Sequence, residues 1–386
     1  MVVTIVVLLI LAGISLNLVL GQNGIISRAQ DARNQTVEGQ VNTEKAVNAL
    51  TDEMEDLISE NENSNYDPTE DGVVIPEGYY YVGGTKAKGI VISDNVADKE
   101  LDKGKENVRR DLAGNQWVWV PVETPSSLYT TVDAGQALSG STGVKTTKYT
   151  NSAIISGVTR VLPGNSSSYR EPDILTNSTY GDTDDRAKTA GFSSLANMAE
   201  TMKKDYEEMI ASLEKYKGFY IGRYELTSNG EKTGATQTDV DWYTLYKNCT
   251  TLAKGTKVKT RMIWGLQWDA TCNWLDSSGF SITDSAAWGN YKDNTATGHG
   301  SKQNTGFSES WKANNIYDFA GNCYEETPEA RFAFQRVSRG GCCVSEGSGS
   351  PASVRALGTP THTGSSTGSR PTLYLIPWDM EAKSSK

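Results

Sequence analysis

The sequence predicts a domain of short β-strands and a few helices with much irregular structure, preceded by a long apolar N-terminal helix. Runs of β-branched and aromatic residues, such as residues 117–120, are typical of strands. Apolar residues at three- and four-residue spacing between Leu195 and Leu213 predict an amphipathic helix. Abundant Gly, Ser, Thr and Asn favour turns and irregular connections between these elements.

The first 20 residues are almost entirely apolar, and the first charged side chain is Arg28. About 20 residues at roughly 1.5 Å per residue match the hydrocarbon core of a bilayer, about 30 Å thick. We therefore predict a membrane helix over residues 1–22, which contacts the membrane through residues 1–20. The alternative is a cleaved signal peptide, but a basic region before the apolar run and a small-residue cleavage site after it are both absent.

Three further boundaries follow from composition. Residues 23–58 carry apolar side chains at helical spacing and predict an amphipathic helix, which packs either on its own domain or, as a stalk, on neighbouring molecules. Residues 59–75 are mostly polar and acidic and predict a linker. The globular domain is predicted over residues 76–378, followed by a short tail at 379–386.

Within the domain, the strand and helix patterns follow one another in a mixed order. Strands are predicted at 79–82, 90–92, 117–120 and 219–225, and helices at 195–213 and 264–275. Gly218 is predicted to stop the first of these helices, and residues 283–303 are predicted to form a polar loop.

Several functional classes are disfavoured by charge and motif content. A formal net charge of -10 repels phosphate backbones, so we expect no nucleic-acid partner. The five cysteines form no CxxC pair, and HExxH and phosphate-loop motifs are absent. The string GSSTG at 364–368 matches a nucleophile elbow in letters only, because it lies in a polar stretch without a strand before it or a helix after it.

The N-terminal segment VVTIVVLLILAGISLNLVLGQNGIISRAQDA resembles that of type IV pilin-like proteins of Gram-positive bacteria. The resemblance implies a membrane location with the domain exposed on the outer surface, and packing with other pilin subunits in a filament. The short basic leader and peptidase motif of that class do not precede this helix, which leaves processing and filament assembly open.

Three segments in order, GFYIGRYE at 218–225, NIYDFAGNCYEET at 315–327 and RVSRGG at 336–341, are followed by a return that ends in GSRPTLYL at 368–375. Together they resemble the formylglycine-generating-enzyme superfamily. That resemblance implies an α+β domain of the C-type-lectin type, with long loops on one side. The oxygen-dependent enzymes bind copper with two separated cysteines, whereas Cys342 and Cys343 are adjacent and their side chains diverge in an extended chain. We therefore predict no enzymatic activity, since function depends on sites and not on folds.

The same resemblance implies a structural calcium ion in the loop YDFAGNCYE. Carried over by position, its ligands are the Asp318 and Glu325 carboxylates and the carbonyls of Gly321 and Cys323. Hard oxygen ligands of this kind suit calcium. The alternative is that Asp318 and Glu325 cap a turn without a metal ion.

Residues 342–369 have an unusual composition for this chain. Among Lys, Gln, Met, Trp and Glu, which together make up roughly one residue in five of the chain, only Glu346 occurs there. The segment resembles the diversified segment of variable proteins of diversity-generating retroelements, in which adenine-directed mutation of Asn codons cannot produce those five residue types. The candidate varied, ligand-binding positions are Cys342, Cys343, Gly347, Gly349, Val354, Ala356, Leu357, His362, Gly364 and Ser365. The alternative is a plain Gly/Ser/Thr-rich surface loop, which lacks large residues for that reason alone.

These observations predict a membrane-anchored, surface-displayed protein that binds an unknown protein or glycan through residues 342–369. An exposed Cys342–Cys343 pair is expected under this interpretation. The alternatives are a catalytic oxidase of the formylglycine-generating type and a structural minor pilin without a specific ligand.

Overall fold

The computed structural model describes residues 66–123, 179–330 and 334–377. The predicted membrane helix at 1–22, the stalk helix at 23–58 and the tail at 379–386 lie outside these ranges. Within them, no helix combines the length and the apolar character needed to cross a bilayer.

The described chain folds into α+β structure, as predicted, with two main sheets. The larger sheet has the strand order β1-β2-β3-β4-β12-β5, and the smaller has the order β10-β9-β8-β11. The strands are β1 Tyr80–Gly83, β2 Val91–Ser93, β3 Gln116–Pro121, β4 Gly218–Gly222, β5 Val258–Met262, β6 Lys312–Ala313, β7 Ile316–Tyr317, β8 Tyr324–Ala330, β9 Arg336–Arg339, β10 Ala356–Gly358, β11 Thr367–Ser369 and β12 Pro371–Leu375. The helices are α1 Asp184–Thr189, α2 Leu195–Tyr216, α3 Trp242–Cys249 and α4 Gly265–Ser277.

Both faces of the six-stranded sheet are covered, which explains the continuous apolar run of β3. Val118 and Val120 point into the larger hydrophobic cluster, on the side of α2 and α4. Trp117 and Trp119 point the other way, into a smaller cluster with aromatic residues of β1 and β4. Successive strand side chains alternate between faces, so a strand buried on both sides must be apolar throughout.

Helix α2 follows the predicted pattern and fixes one side of the core. Ser194 caps its N-terminus by accepting a hydrogen bond from the Asn197 N–H at 3.2 Å. The helix ends at Tyr216, two residues before the predicted stop at Gly218, because Lys217 adopts the left-handed conformation at φ 59° and donates its N–H to the Leu213 carbonyl. Gly218 begins β4 instead.

The predicted linker at 59–75 contributes to the folded body over its described part. Residues 68–72 form a hydrogen-bonded turn, Val73 is buried, and the Tyr66 ring packs against Tyr81 at a centroid distance of 6.1 Å. The folded body therefore starts before the predicted boundary at residue 76.

The four-stranded sheet positions the candidate binding segment. Strand β10 pairs antiparallel with β9, and β11 pairs parallel with β8. Both edge strands of this sheet are therefore supplied by residues 342–369, on opposite sides of the β8–β9 hairpin. The composition predicted a loop here, and the structure places the segment partly inside a sheet.

Candidate functional site

The three motif segments that carry the enzyme-superfamily resemblance meet in one place. The Cys323 N–H donates to the Glu225 carboxylate at 2.9 Å, and the Gly321 N–H donates to the Gly340 carbonyl at 2.8 Å. Arg370, just before β12, donates to the Gly222 carbonyl at 3.0 Å and pairs with Glu325. The segments around Glu225, Gly321 and Gly340 are thus held together by buried polar contacts.

The predicted calcium ligands are engaged in other contacts. Both oxygens of Glu325 accept hydrogen bonds from the Arg370 guanidinium, at 3.1 and 3.0 Å from Nε, and both side chains are buried. Asp318 Oδ2 accepts from the Thr305 hydroxyl at 2.9 Å and the Gly306 N–H at 2.7 Å, whereas Oδ1 is buried without a hydrogen-bond partner.

A guanidinium therefore supplies the positive charge that balances Glu325. Across residues 66–123, 179–330 and 334–377, no three His, Cys, Asp or Glu side chains are grouped so that they could hold a metal ion. The Arg370 guanidinium bonds both Glu325 oxygens, whereas Asp318 Oδ1 has no hydrogen-bond partner. Calcium at this loop, with the Gly321 and Cys323 carbonyls as further ligands, stays a prediction.

The middle of the candidate segment, residues 351–355, is an anchor that is buried throughout. The Trp268 indole N–H donates to the Ala352 carbonyl at 2.8 Å, and the Ser353 hydroxyl donates to the Ile282 carbonyl at 2.7 Å. Backbone and side-chain groups of the anchor are thereby tied to α4 and to the loop that follows it.

Arg355 ends the anchor in a buried cluster of charges. Its Nε lies 3.2 Å from Glu329 Oε1, and its guanidinium also bonds Asp269. Arg339, of the RGG motif, lies 2.9 Å from the same Asp269. Two arginines and two carboxylates balance one another, which offsets the cost of burying each charge.

Before the anchor lies the first loop, residues 343–350. Its turns are tied to residues 285–293: the Lys292 N–H donates to the Ser345 carbonyl at 3.1 Å, and the Gly347 N–H donates to Asp293 at 3.0 Å. Val344 is 63% exposed, and Ser348 and Gly349 are also exposed. The backbone of the first loop is held while its outer side chains face solvent.

After β10 lies the second loop, residues 359–366. The Lys302 ammonium donates to the Ser365 carbonyl at 2.7 Å and to the Thr238 hydroxyl at 3.0 Å. The Asp239 N–H donates to the Gly364 carbonyl at 3.1 Å. His362, Thr363 and Ser365 are exposed.

The ten candidate positions divide into three groups by exposure. The exposed ones are Gly349, His362 and Ser365; the half-buried ones are Ala356, Leu357 and Gly364; the buried ones are Cys342, Cys343, Gly347 and Val354. Buried positions are constrained by close packing, so the exposed positions are the better candidates for variation.

The expectation of an exposed cysteine pair is wrong. Cys342 and Cys343 are 5% and 2% exposed, and all five cysteines of the chain are free and buried. Burial raises the pKa of the Cys343 thiol to about 11, so this side chain is a neutral thiol at pH 7. Neutral buried thiols are unreactive, and these two fill space in the core.

Sequence patterns did not single out several residues that face solvent beside the loops. Val344, Ser348 and Thr363 lie within the segment, and Lys292, Lys302 and Tyr324 lie outside it. Glu325 points inward to Arg370, so Tyr324 before it points to the opposite face of β8. Both faces of β8 are buried beyond Tyr324, so strand alternation alone did not identify this residue as partly exposed.

Two glycines of the first loop provide a matched test of its packing. A Cβ at Gly347 would lie 2.2 Å from the Ala286 nitrogen, whereas a Cβ at Gly349 would lie 3.7 Å from its nearest neighbour, the Glu346 carbonyl oxygen. We expect Gly347→Ser to lower the free energy of unfolding by about 1–3 kcal/mol. Gly349→Ser should change it by less than about 0.5 kcal/mol in the same urea titrations. Equal effects of the two substitutions would contradict the described loop.

The buried Glu326 beside β10 gives the stability a pH dependence. Burial raises the pKa of Glu326 to about 7, partly offset by a hydrogen bond with Ser338. A carboxyl group with a raised pKa in the folded state stabilises the fold fully below its unfolded pKa, and this stabilisation is lost as the pH rises through about 7. We expect Glu326→Gln to raise the free energy of unfolding by roughly 1–3 kcal/mol at pH 8 and to change it little at pH 5. Glu346→Gln, at an exposed carboxylate, is the control and should show no such difference; a Glu326→Gln effect that is the same at both pH values would contradict the prediction.

No protein-family model matches this chain, and no curated protein matches it. Among solved structures, "Treponema denticola variable protein 1" is similar at 16% identity, with 42% of this chain and 85% of that chain covered and a TM-score of 0.30. A crystal structure of CarF is similar at 14% identity, with coverages of 42% and 88% and a TM-score of 0.32. Because both TM-scores are below 0.5, neither likeness carries an argument about fold or function.

Proposed function

We propose that this chain is a ligand-binding protein whose recognition face consists of the first loop, 343–350, and the second loop, 359–366, on a scaffold of the C-type-lectin type. One observation carries the proposal. The segment is fixed in the middle by the buried anchor and at β10 and β11 by the sheet, yet both loops expose small side chains. Loops of variable sequence on a rigid scaffold are a common basis of recognition.

A diversified segment is part of the proposal, restricted to the positions where substitution costs little. Gly349, His362 and Ser365 are exposed, and the scaffold tolerates many side chains at such sites. Cys342, Cys343 and Val354 are buried, so variation there is limited to residues of similar size. Comparison of the coding segment with a near-copy beside a reverse transcriptase gene would test this part directly.

A non-catalytic role is also proposed. The buried, neutral Cys343 thiol supports it, because the thiolate is the form that binds metals and attacks substrates. We expect no copper-dependent oxidation of a cysteine-containing peptide by the purified chain. Display on the cell surface through residues 1–22 remains part of the proposal, and the segment lies outside the described residues.

The binding function is tested with two equally exposed valines. Val344 in the first loop and Val96 in the connection between β2 and β3 are both 63% exposed. The full chain is immobilised and screened against a phage-displayed random peptide library and a glycan array. We expect probes that bind the wild type, lose binding with Val344→Arg and keep it with Val96→Arg. Absence of any bound probe, or equal loss with both variants, would overturn the proposal.

A further inference from the structure

Apart from Val344, Glu346 and His362, the exposed side chains of the two loops are small, and small side chains provide little binding energy. The outer positions of both loops are dominated by Ser, Gly and Thr, with Val344 the one large apolar side chain that is well exposed in the first loop. Binding energy at protein interfaces is concentrated in a few large residues, above all Trp, Tyr and Arg. If the proposed function holds, the face needs such a residue from outside residues 342–369.

Tyr324 lies where the two loops approach each other. Its hydroxyl donates to the Ser350 hydroxyl at the end of the first loop, at 3.2 Å. Its backbone N–H donates to the Ser366 carbonyl at the end of the second loop, at 2.9 Å. In the sheet, Tyr324 is paired with Thr367 of β11. One residue at the start of β8 thus joins both loops.

Tyr324 also keeps part of its surface exposed. The side chain is half-buried, and within the described part of the chain its ring stacks on no other aromatic ring. Both ends of the residue are held, by the hydroxyl bond to Ser350 and by the β8 ladder, so little conformational entropy is lost when a ligand packs on the ring.

The chemistry of the surrounding face favours a protein ligand. A rigid Tyr flanked by Ser and Gly is the combination used by antibody paratopes, in which Tyr supplies contact area and Ser and Gly adapt their hydrogen bonds. The exposed Val344 adds an apolar contact, and the one carboxylate of the first loop, Glu346, is paired with Lys292 at 3.1 Å. Few free carboxylates or amides remain on the first loop to bind the hydroxyls of a sugar.

We propose that Tyr324 is a fixed contact residue of the recognition face. The face binds a protein epitope, and the exposed loop residues set its specificity. This inference rests on the proposed function of the same two loops. Unlike the exposed loop positions, Tyr324 is a specificity-independent contact, so every ligand selected on this face should depend on it.

The test uses the full chain and peptides enriched from the phage-displayed random library. Tyr324→Ala should weaken their binding by at least about tenfold. Tyr324→Phe should weaken it by less than about threefold, since the ring remains and the hydroxyl is used by Ser350. The matched control is Tyr80→Ala, at a half-buried tyrosine on β1 of the other sheet, and should leave binding unchanged. Thermal unfolding of each variant establishes that it is folded.

The outcomes separate this inference from the proposed function. Peptides that lose binding with Val344→Arg but keep it with Tyr324→Ala would overturn the role of Tyr324 and leave the loop function intact. Binding of glycans without enrichment of any peptide would overturn the ligand class. Binding of neither class would overturn the proposed function and this inference with it. Peptides that lose binding with Val344→Arg and with Tyr324→Ala, and keep it with the controls Val96→Arg and Tyr80→Ala, would support the proposed function and the role of Tyr324.

Discussion

Arg370→Met should lower the free energy of unfolding by about 3–5 kcal/mol, one of the largest effects we expect from a single substitution in this chain. Arg370 is fully buried and bonds both oxygens of Glu325. It also donates to the carbonyls of Gly222, at 3.0 Å, and Tyr317, at 2.8 Å. Methionine fills the space but leaves the Glu325 carboxylate and two carbonyls without their donors. A buried charge without a partner costs more than the net stabilisation by the pair.

Urea unfolding of the full chain measures this effect. The double variant Arg370→Met with Glu325→Gln should be more stable than Arg370→Met alone, because it removes the unpaired charge. Lys99→Met, at an exposed cation, is the matched control and should change the free energy of unfolding by less than about 0.5 kcal/mol. An Arg370→Met variant within about 1 kcal/mol of the wild type would contradict the ion pair that holds β8 to β12.

Trp268→Ala should have an effect of similar size and should also release the candidate segment. The Trp268 ring is fully buried and stacks on Phe319 at a centroid distance of 4.0 Å, and its indole N–H holds the Ala352 carbonyl. Loss of a buried Trp from a core costs about 3–5 kcal/mol. Removal of its hydrogen bond should in addition increase the local opening of residues 351–355.

Hydrogen exchange separates these two consequences. We expect Trp268→Ala to speed amide exchange in residues 351–355 beyond what the global loss of stability explains. Trp274→Ala, on the same helix and also buried, should destabilise the fold without a selective effect on the anchor. Equal exchange in the anchor of both variants, after correction for stability, would show that Trp268 does not hold the segment.

The elements that the sequence predicted correctly are those whose local pattern matches their burial. Helix α2 has apolar side chains at helical spacing on one buried face, and β3 consists of β-branched and aromatic residues buried on both sides. Helix α3 was not predicted, because its eight residues include three aromatic side chains and are too few to establish a period.

The structure of residues 342–369 could not be predicted from local sequence patterns. Strands β10 and β11 have the sequences ALG and TGS, with little intrinsic strand preference, and they form because β9 and β8 offer them hydrogen-bonding edges. Arg355 is paired with Glu329 and Asp269, which lie 26 and 86 residues away from it in the sequence. Contacts of this range depend on the tertiary fold, so composition alone indicated a loop where the structure has a buried anchor between two loops.

The central claim, that the segment after Gly341 starts buried and then exposes its first loop, is tested most directly by the reaction of thiols with an alkylating reagent in the native protein. All five native cysteines are buried, and Cys342 and Cys343 lie immediately before the exposed Val344. We expect the wild type to react only as it unfolds, and the S348C variant to react with one additional equivalent at once, at the rate of a free thiol in solution. Rapid reaction of Cys342 and Cys343 in the folded wild type, or a protected thiol at position 348, would contradict this arrangement.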